Sequence, residues 1–250
     1  MSLLRNRLEV TFDYYNSQAK NVIFAEPMAS VYGKGKYYTN DGKIENQGLE
    51  LAVQATLVNT RDWKWIIGGN IARNESKVKS LGDTDRIILE YQDGAQLVTK
   101  VGQSAYQFFG YETQGVFATQ AEADQAKLVN KKGQPYQAGD VHFVDQNKDG
   151  RIDDKDRVAL GSAAPSYFGG FFTQVQYKGF ALSAEFSYSK GNKAYNAVRR
   201  SLESLSTFGN QSTSVANRWS LEGQVTDMPR AQWGDPVGNN DFSSRWIEDA

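Results

Sequence analysis

The sequence contains no cysteine and a single histidine, His142, and these absences remove several kinds of site. Without cysteine there is no disulfide framework, no thiolate zinc site and no cysteine nucleophile. A zinc site built on histidine would need a second histidine, and a Ser-His-Asp triad would depend on His142 alone. The chain therefore offers few groups for catalysis, and we assign His142 no role.

An excess of charge of one sign and long apolar runs are also lacking. The 28 Lys and Arg residues against 29 Asp and Glu residues give a formal net charge of -1, which provides no electrostatic footprint for nucleic acid. The mean hydropathy is -0.58, and no apolar run approaches the ~20 residues of a transmembrane helix. Transmembrane strands are not excluded, because they alternate apolar and polar residues and give a weak hydropathy signal.

Aromatic residues and glycine are abundant in this chain of 250 residues, while proline is scarce. There are 23 Gly, 13 Tyr, 13 Phe and 5 Trp residues against 5 Pro. This composition suits strands and turns better than helices. The length is sufficient for one large domain with a buried core.

The dominant period of the sequence is two residues, which is typical of strands with one apolar face. It predicts an antiparallel sheet in which strands adjacent in sequence are adjacent in space. The predicted strands are 5–17, 44–58, 63–79, 166–178 and 180–191. The residues that we place on the apolar face are Leu8, Val10, Phe12, Leu49, Leu51, Val53, Leu182 and Phe186. Because an exposed apolar sheet face favours association, we expect the chain's own loops or another copy to cover it.

The connections between the predicted strands alternate in length. Long ones at about 18–43, 80–165 and 192–244 alternate with short ones at 59–62 and 178–179. This alternation favours an up-and-down outer-membrane barrel, which has short periplasmic turns and long extracellular loops. Aromatic residues near the strand ends are typical of the two interfacial girdles of such a barrel. The alternative is a soluble β-sandwich whose inner face supplies the apolar set.

The long connections contain predicted elements of their own. Residues 121–129 are rich in helix formers and follow Thr119, a suitable N-cap, so we expect a short helix there. Apolar residues at helical spacing predict a second helix at 194–205. Residues 86–91 and 96–101 flank a turn and predict a small hairpin.

The acidic loop, residues 145–156, has the ligand spacing of a calcium-binding loop. Oxygen ligands at positions 1, 3 and 5, Gly at position 6, a main-chain carbonyl at position 7 and an acid at position 12 suit a hard cation. The predicted ligands are Asp145, Asn147, Asp149, the carbonyl of Arg151, Asp153 directly or through water, and Asp156. Since position 12 is Asp where an EF-hand has Glu, we expect weak Ca²⁺ binding. The alternative is a loop of Asx-turns that orders its own backbone without metal.

Several stretches of the sequence resemble the C-terminal barrel region of SusC/RagA-type TonB-dependent outer-membrane transporters. They include Gly-Asp-Val-His-Phe-Val-Asp at 139–145, which continues through the acidic loop to Arg157, and Arg-Trp-Ile-Glu-Asp at 245–249. The remaining stretches and residues are 46–51, 111–117, 160–161, Pro165, Tyr167, 169–171, 178–180, 191–193, 218–219 and 229–230. The resemblance extends over nearly the whole chain.

The resemblance implies an all-β fold: an antiparallel up-and-down sheet, part of a large transmembrane β-barrel, with short helices in long extracellular loops. We expect residues 1–250 to be a fragment of that barrel that lacks the N-terminal plug and the last strands. Residues 80–165 would then be a long extracellular loop region that contains the acidic loop. The implied location is the outer membrane of a Gram-negative bacterium.

The resemblance also implies a function: energy-coupled import of an oligosaccharide or peptide nutrient. The implied partners are a SusD-like surface lipoprotein and the TonB complex, which would bind through the absent N-terminal part. No substrate-contacting residue carries over, because such contacts lie in variable loops and in the plug.

Two other classes of function remain open on the residues. One is a soluble extracellular carbohydrate-binding β-sandwich with a calcium-stabilised loop. The other is a glycosidase, which would need two carboxylates about 5 to 10 Å apart. The alternating connection lengths argue against both, so we expect no enzymatic activity.

Overall fold

The structure, a computed structural model, describes residues 2–28, 30–33 and 35–250. Its first strands are β1 (Ser2–Leu3), β2 (Leu8–Pro27), β3 (Lys36–Asn59), β4 (Trp63–Leu81), β5 (Arg86–Glu90), β6 (Gln96–Lys100), β7 (Gln107–Tyr111) and β8 (Thr113–Val116). The later strands are β9 (Val129–Asn130), β10 (Val141–Phe143), β11 (Arg151–Ile152), β12 (Arg157–Ser162), β13 (Tyr167–Tyr177), β14 (Phe180–Lys190), β15 (Lys193–Tyr195) and β16 (Ile247–Asp249). The α-helices are α1 (Gln120–Ala126) and α2 (Ala197–Leu202).

The main sheet has six strands in the order β1-β2-β3-β4-β13-β14, and every neighbouring pair is antiparallel. Each predicted strand corresponds to a strand of this sheet, so the prediction of an up-and-down sheet is confirmed. The strand predicted at 5–17 corresponds to β2, which begins at Leu8 rather than at residue 5, because residues 4–7 turn the chain back from β1. The backbone of Leu4, Arg5 and Asn6 is left-handed in this turn.

The predicted long connection at about 18–43 is wrong, because β2 and β3 continue to Pro27 and from Lys36. A bulge at Asn21, which has a φ of 56°, hides this continuation in the sequence. Ala19 pairs with Ile44 and Val22 pairs with Gly42. Paired residues share a face. The face of β2 opposite the predicted apolar face therefore carries odd-numbered residues before the bulge and even-numbered residues directly after it. The period-two pattern therefore breaks where the strand does not.

The predicted apolar residues all lie on one face of the main sheet. Val10 pairs with Val53 and Phe12 with Leu51, and this face continues across β4 and β13 to Leu182 and Phe186. Phe12 is 65% exposed and Leu182 is 73% exposed. The chain's own loops thus leave this face open, so the first of the two expected covers is wrong, and cover by another copy stays a prediction.

Aromatic side chains border the apolar face beside the short turns. The rings of Trp63 and Tyr177 lie 4.4 Å apart, and Trp65 Nε1 donates a 3.0 Å hydrogen bond to Thr173 Oγ1 on the neighbouring strand. The alternating apolar residues extend over 49–57, 63–71 and 180–188. Each of these segments has about the 9–11 residues that a tilted strand needs to cross a bilayer.

Most of the buried core lies in a lobe formed by the long connections 82–166 and 191–250. A smaller cluster joins the ends of β2 and β4 to this lobe through Phe24, Val78, Leu81 and Ile87. In the lobe, β5, β6, β7 and β12 form an antiparallel sheet in the order β12-β7-β6-β5, which confirms the predicted hairpin. Three small pairs complete the lobe: β8 with β10, parallel β9 with β11, and β15 with β16. The largest apolar cluster contains Tyr111, Phe117, Ala123, Leu128, Tyr136, Val141, Phe143, Ile152 and Val237.

Both predicted helices are present but shorter than predicted. Thr119 caps α1 by accepting a hydrogen bond from Glu122 N. The helix ends at Lys127, whose backbone is left-handed, so Leu128 turns into the core. The predicted start of the second helix at 194 is wrong, because 193–195 pair with β16. Among the described residues, none of the helices is long and apolar enough to cross a membrane.

Gly169 generates the first prediction, which concerns the pairing of β13 with β4. A Cβ at this position would collide with the main-chain oxygen of Asn70 on β4. Gly169→Ala should therefore destabilise the sheet by ~1–3 kcal/mol. The matched control is Gly179→Ala in a short turn, where a Cβ meets nothing within 4 Å. Thermal melts of the two variants should separate, and equal melting temperatures would contradict the predicted collision.

Candidate functional site

The acidic loop is ordered by its own carboxylates. Asp145 Oδ1 accepts a hydrogen bond from Lys148 N at 2.7 Å, and its Oδ2 accepts one from Gly150 N at 2.7 Å. Asn147 Oδ1 accepts from Asp149 N at 3.0 Å. Asp149 Oδ1 in turn accepts from Arg151 N at 2.9 Å. The first half of the loop is thus a series of Asx-turns.

Asp156 connects the two halves of the acidic loop. Its fully buried carboxylate accepts hydrogen bonds from Gln146 N at 3.0 Å and from Asp153 N at 2.8 Å. Asp153 returns the contact by capping the short turn Asp154–Asp156 through Lys155 N at 2.9 Å. Asp156 therefore ties the start of the loop to its end.

The side chains of the predicted calcium ligands lie in one loop, and their oxygens accept hydrogen bonds from main-chain N–H groups. Arg151, the predicted carbonyl ligand, lies in β11 and pairs with Val129 of β9. Within the ranges that the structure describes, no three His, Asp or Glu side chains form a group that could hold a metal ion. These contacts support the Asx-turn alternative, and Ca²⁺ binding to the loop stays a prediction.

A buried ion pair next to the acidic loop joins the two long connections. Asp140 is fully buried and receives two hydrogen bonds from Arg230, from Nε at 2.8 Å and from Nη2 at 3.0 Å. Asn239 Nδ2 and Gln137 N also donate to this carboxylate, at 3.0 and 2.8 Å. Charge-assisted bidentate pairs of this kind are among the stronger polar contacts. Asp140 thus holds 82–166 and 191–250 together.

Trp219 reinforces the same contact. Gly139 has a φ of 83°, and its missing side chain leaves room for the Trp219 ring, which a Cβ would strike. Trp219 Nε1 donates a 3.0 Å hydrogen bond to Ala118 O, and Arg230 N donates to Gly139 O at 2.8 Å. The stretches 139–145, 218–219 and 229–230 that carry the family resemblance therefore meet at one place.

The last of these stretches packs around Trp246. This side chain is fully buried, and the guanidinium of Arg245 lies 4.8 Å from its ring centroid. Burial lowers the pKa of Arg245 to about 10, while the Glu203 carboxylate raises it. Arg245 therefore remains charged at neutral pH. Arg199 connects this cluster to β16 through a 2.7 Å ion pair with Glu248.

His142 lies in a groove of about 700 Å³ between α1 and the acidic loop. Its ring stacks on Phe117 with 4.2 Å between the centroids. Burial lowers the pKa of His142, so the side chain is neutral at pH 7. The structure thus places the only histidine of the sequence in a packing contact with Phe117.

Sequence reasoning from the residues alone missed the contacts of Asp140, Arg230 and Asn239. Asp140 is 90 positions from Arg230 and 99 from Asn239, and none of the three lies in a motif with a known chemistry. The available signal was the family resemblance, which includes Gly-Asp at 139–140 and Pro-Arg at 229–230. The resemblance includes Asp140 and Arg230 but does not indicate that they contact each other.

Known proteins similar to this chain are TonB-dependent receptors. TonB-dependent receptor P3 of Formosa agariphila is 28% identical over 254 residues, which covers 100% of this chain and 24% of that protein. TonB-dependent receptor SusC of Bacteroides thetaiotaomicron is 26% identical over 192 residues, which covers 73% of this chain and 17% of SusC. No protein-family model matches the chain.

The fold is similar to part of a solved transporter. The structure of the RagAB peptide transporter matches with a TM-score of 0.76 at 21% sequence identity, covering 98% of this chain and 26% of that one. The resemblance to SusC/RagA-type transporters is thereby confirmed, and so is the fold class. The chain spans about a quarter of the length of P3 and of a second curated relative, TonB-dependent receptor P26 of the same organism. Those relatives are receptors rather than enzymes, in agreement with the expected absence of enzymatic activity.

The buried ion pair generates the second prediction. Arg230→Met should leave the Asp140 carboxylate buried without its cation and destabilise the lobe by ~3–5 kcal/mol. Lys193→Met, which removes the exposed pair with Asp249, is the matched control and should cost under ~1 kcal/mol. Limited proteolysis should cut the lobe of the first variant faster and spare the main sheet. Equal digestion of both variants would show that the pair contributes little.

The third prediction is that the acidic loop binds Ca²⁺ with a dissociation constant of ~10⁻⁴–10⁻³ M. Each carboxylate oxygen has a second lone pair, so backbone contacts and metal coordination are compatible. Asp149→Ala should abolish heat release on calcium titration and raise protease sensitivity near residues 139–161 without unfolding the strands. No calcium uptake at millimolar concentration, together with a loop equally ordered in chelator, would favour the metal-free Asx-turns.

Proposed function

From its similarity along the whole chain to TonB-dependent receptors, we propose that this protein is a wall segment of an outer-membrane nutrient transporter with its external lobe. The observation that carries the proposal is the single apolar face shared by β2, β3, β4, β13 and β14. In a bilayer this face contacts the lipid chains, and the polar face lines the lumen. Lipid would then cover the apolar face, which the chain's own loops leave exposed.

The distribution of turns sets the orientation in this proposal. The short turns at 60–62 and 178–179 lie on the periplasmic side with Trp63 and Tyr177, since barrels of this type have short periplasmic turns. The lobe, residues 82–166 and 191–250, is then extracellular. Its buried core and ion pairs give it the stability of a folded domain in water rather than that of a mobile loop.

The transported molecule in this proposal is an oligosaccharide or a peptide. Import is energy-coupled through a plug and the TonB complex, and a SusD-like surface lipoprotein closes the extracellular side. The name of the matched transporter refers to peptides, and its pair of subunits supports a two-protein arrangement. The role of this chain in the proposal is to form the wall and part of the extracellular surface.

The fourth prediction tests this function in the organism that encodes the chain. Deletion of the gene should abolish growth on one glycan or peptide source and leave growth on simple sugars unchanged. Complementation with Gln54→Arg, on the lumen face, should restore growth. Val53→Arg, one residue away on the lipid face near the centre of the apolar segment, should fail, because an arginine at mid-membrane costs ~2–4 kcal/mol.

The amount of protein in the outer-membrane fraction, measured by immunoblot, separates insertion from transport. Val53→Arg should lower it and Gln54→Arg should not. Growth of the deletion strain that is unchanged across a broad panel of nutrients would sink the transport proposal. Equal amounts of both variants in the membrane would sink the assignment of the lipid face.

A further inference from the structure

Two adjoining cavities lie in the lobe and share Tyr195 and Ala197 in their walls. We call them the polar cavity, of about 340 Å³, and the aromatic cavity, of about 270 Å³. Both lie where the turn of the β5–β6 hairpin meets α2. Together they have the size of a small-ligand site, for which ~300–1,000 Å³ is typical.

The polar cavity presents neutral hydroxyl groups. Its wall includes Ser201, Ser204, Ser206 and Thr207. The cationic side chain there is already occupied: Arg200 Nε donates to Asn240 O at 3.0 Å and Nη1 donates to Tyr195 Oη at 3.1 Å.

Two carboxylates also line the polar cavity, those of Asp93 and Asp235. The carboxylate of Asp235 accepts hydrogen bonds from Asn239 N and Asn240 N at 2.7 and 2.9 Å, whereas that of Asp93 has no hydrogen-bond or ion-pair partner among the described residues. A ligand in the polar cavity therefore meets hydroxyl donors and acceptors together with one carboxylate that can accept hydrogen bonds from ligand hydroxyls.

The aromatic cavity offers ring surfaces beside these hydroxyls. Tyr91, Tyr106, Phe108 and Tyr195 line it. Tyr91 and Tyr106 are 51% and 52% exposed, so their rings are available to a ligand. Tyr195 is held edge-on against Phe242, with 5.1 Å between the centroids and an interplanar angle of 90°. A fixed ring thus separates an aromatic wall from a hydroxyl-rich wall.

We propose that the two cavities form one binding site for a neutral oligosaccharide. A sugar ring has an apolar C–H face, which packs on aromatic rings, and a hydroxyl edge, which hydrogen-bonds to serine and threonine. Sites of this kind combine aromatic walls with a few placed polar groups. A peptide would also bring carboxylates, which find no free cation among the described residues that line the two cavities, because Arg200 is already bound to Asn240 O and Tyr195 Oη. This inference rests on the proposed function, because it chooses between the two classes of nutrient that the transporter would import.

The fifth prediction uses the purified full-length protein in detergent and isothermal titration calorimetry. The probes are neutral hexasaccharides of glucose, xylose, mannose and galactose in α and β linkage, with a hexapeptide library as comparison. At least one hexasaccharide should bind. Tyr91→Ala and Tyr106→Ala should each raise its Kd about tenfold, since each removes one exposed ring contact, and Tyr91→Phe should retain affinity because the ring is kept.

Tyr38→Ala is the matched control, because Tyr38 is an exposed tyrosine that lies outside both cavities. It should leave the Kd unchanged. The proposal is overturned if no hexasaccharide binds, or if both tyrosine variants bind as tightly as the unmodified protein. Binding of hexapeptides that both variants weaken would also overturn it and would assign the site to peptides. In each of these cases growth dependence on the gene still tests transport separately.

Discussion

The bidentate ion pair between Asp140 and Arg230 joins two connections that start from different strands of the main sheet. One connection follows β4 and the other follows β14, and the first supplies eight of the nine residues of the largest apolar cluster. Val237 from the second connection completes the apolar cluster of the first. Once Asp140, Arg230, Asn239 and Trp219 are in contact, the two connections become a single lobe with a shared core. Trp219 also hydrogen-bonds to Ala118 O just before α1, so the contact extends to this helix.

The molecule places its hydrophobic side chains in two different environments. In the lobe, Tyr111, Phe143 and Trp246 are buried as in a water-soluble domain. In the main sheet, apolar side chains of similar size remain on an exposed face, and the opposite face is largely polar. This division is what an up-and-down sheet requires when lipid takes the place of a protein core. It also accounts for a low mean hydropathy in a chain that we propose to lie in a membrane.

The acidic loop and the two cavities around Tyr195 differ in how much of each site is visible in the sequence. The acidic loop is contiguous, so its spacing is visible in the sequence, and the structure shows how its carboxylates order the backbone. The cavities are assembled from residues between 91 and 240, and each tyrosine or serine is unremarkable by itself. Their combination of ring surface and hydroxyls appears only after α2 and the β5–β6 hairpin meet.

Local patterns were sufficient to predict the strands, their apolar face, the N-cap of α1 and the β5–β6 hairpin, because each depends on residues close together in the chain. The pairing of β4 with β13 joins residues about 100 positions apart, and its prediction depended on the rule that successive strands of a sheet are usually neighbours. The predicted strand corresponding to β2 was too short, because one bulge at Asn21 reverses the alternation of apolar and polar residues on which the prediction relied. The second helix was overestimated because residues 193–195 pair with 247–249, more than fifty positions away. The partners of Asp140, the role of Gly139 under Trp219 and the cavities around Tyr195 likewise depend on contacts between distant segments. Such contacts leave no periodic trace in the sequence, so tertiary packing alone decides them.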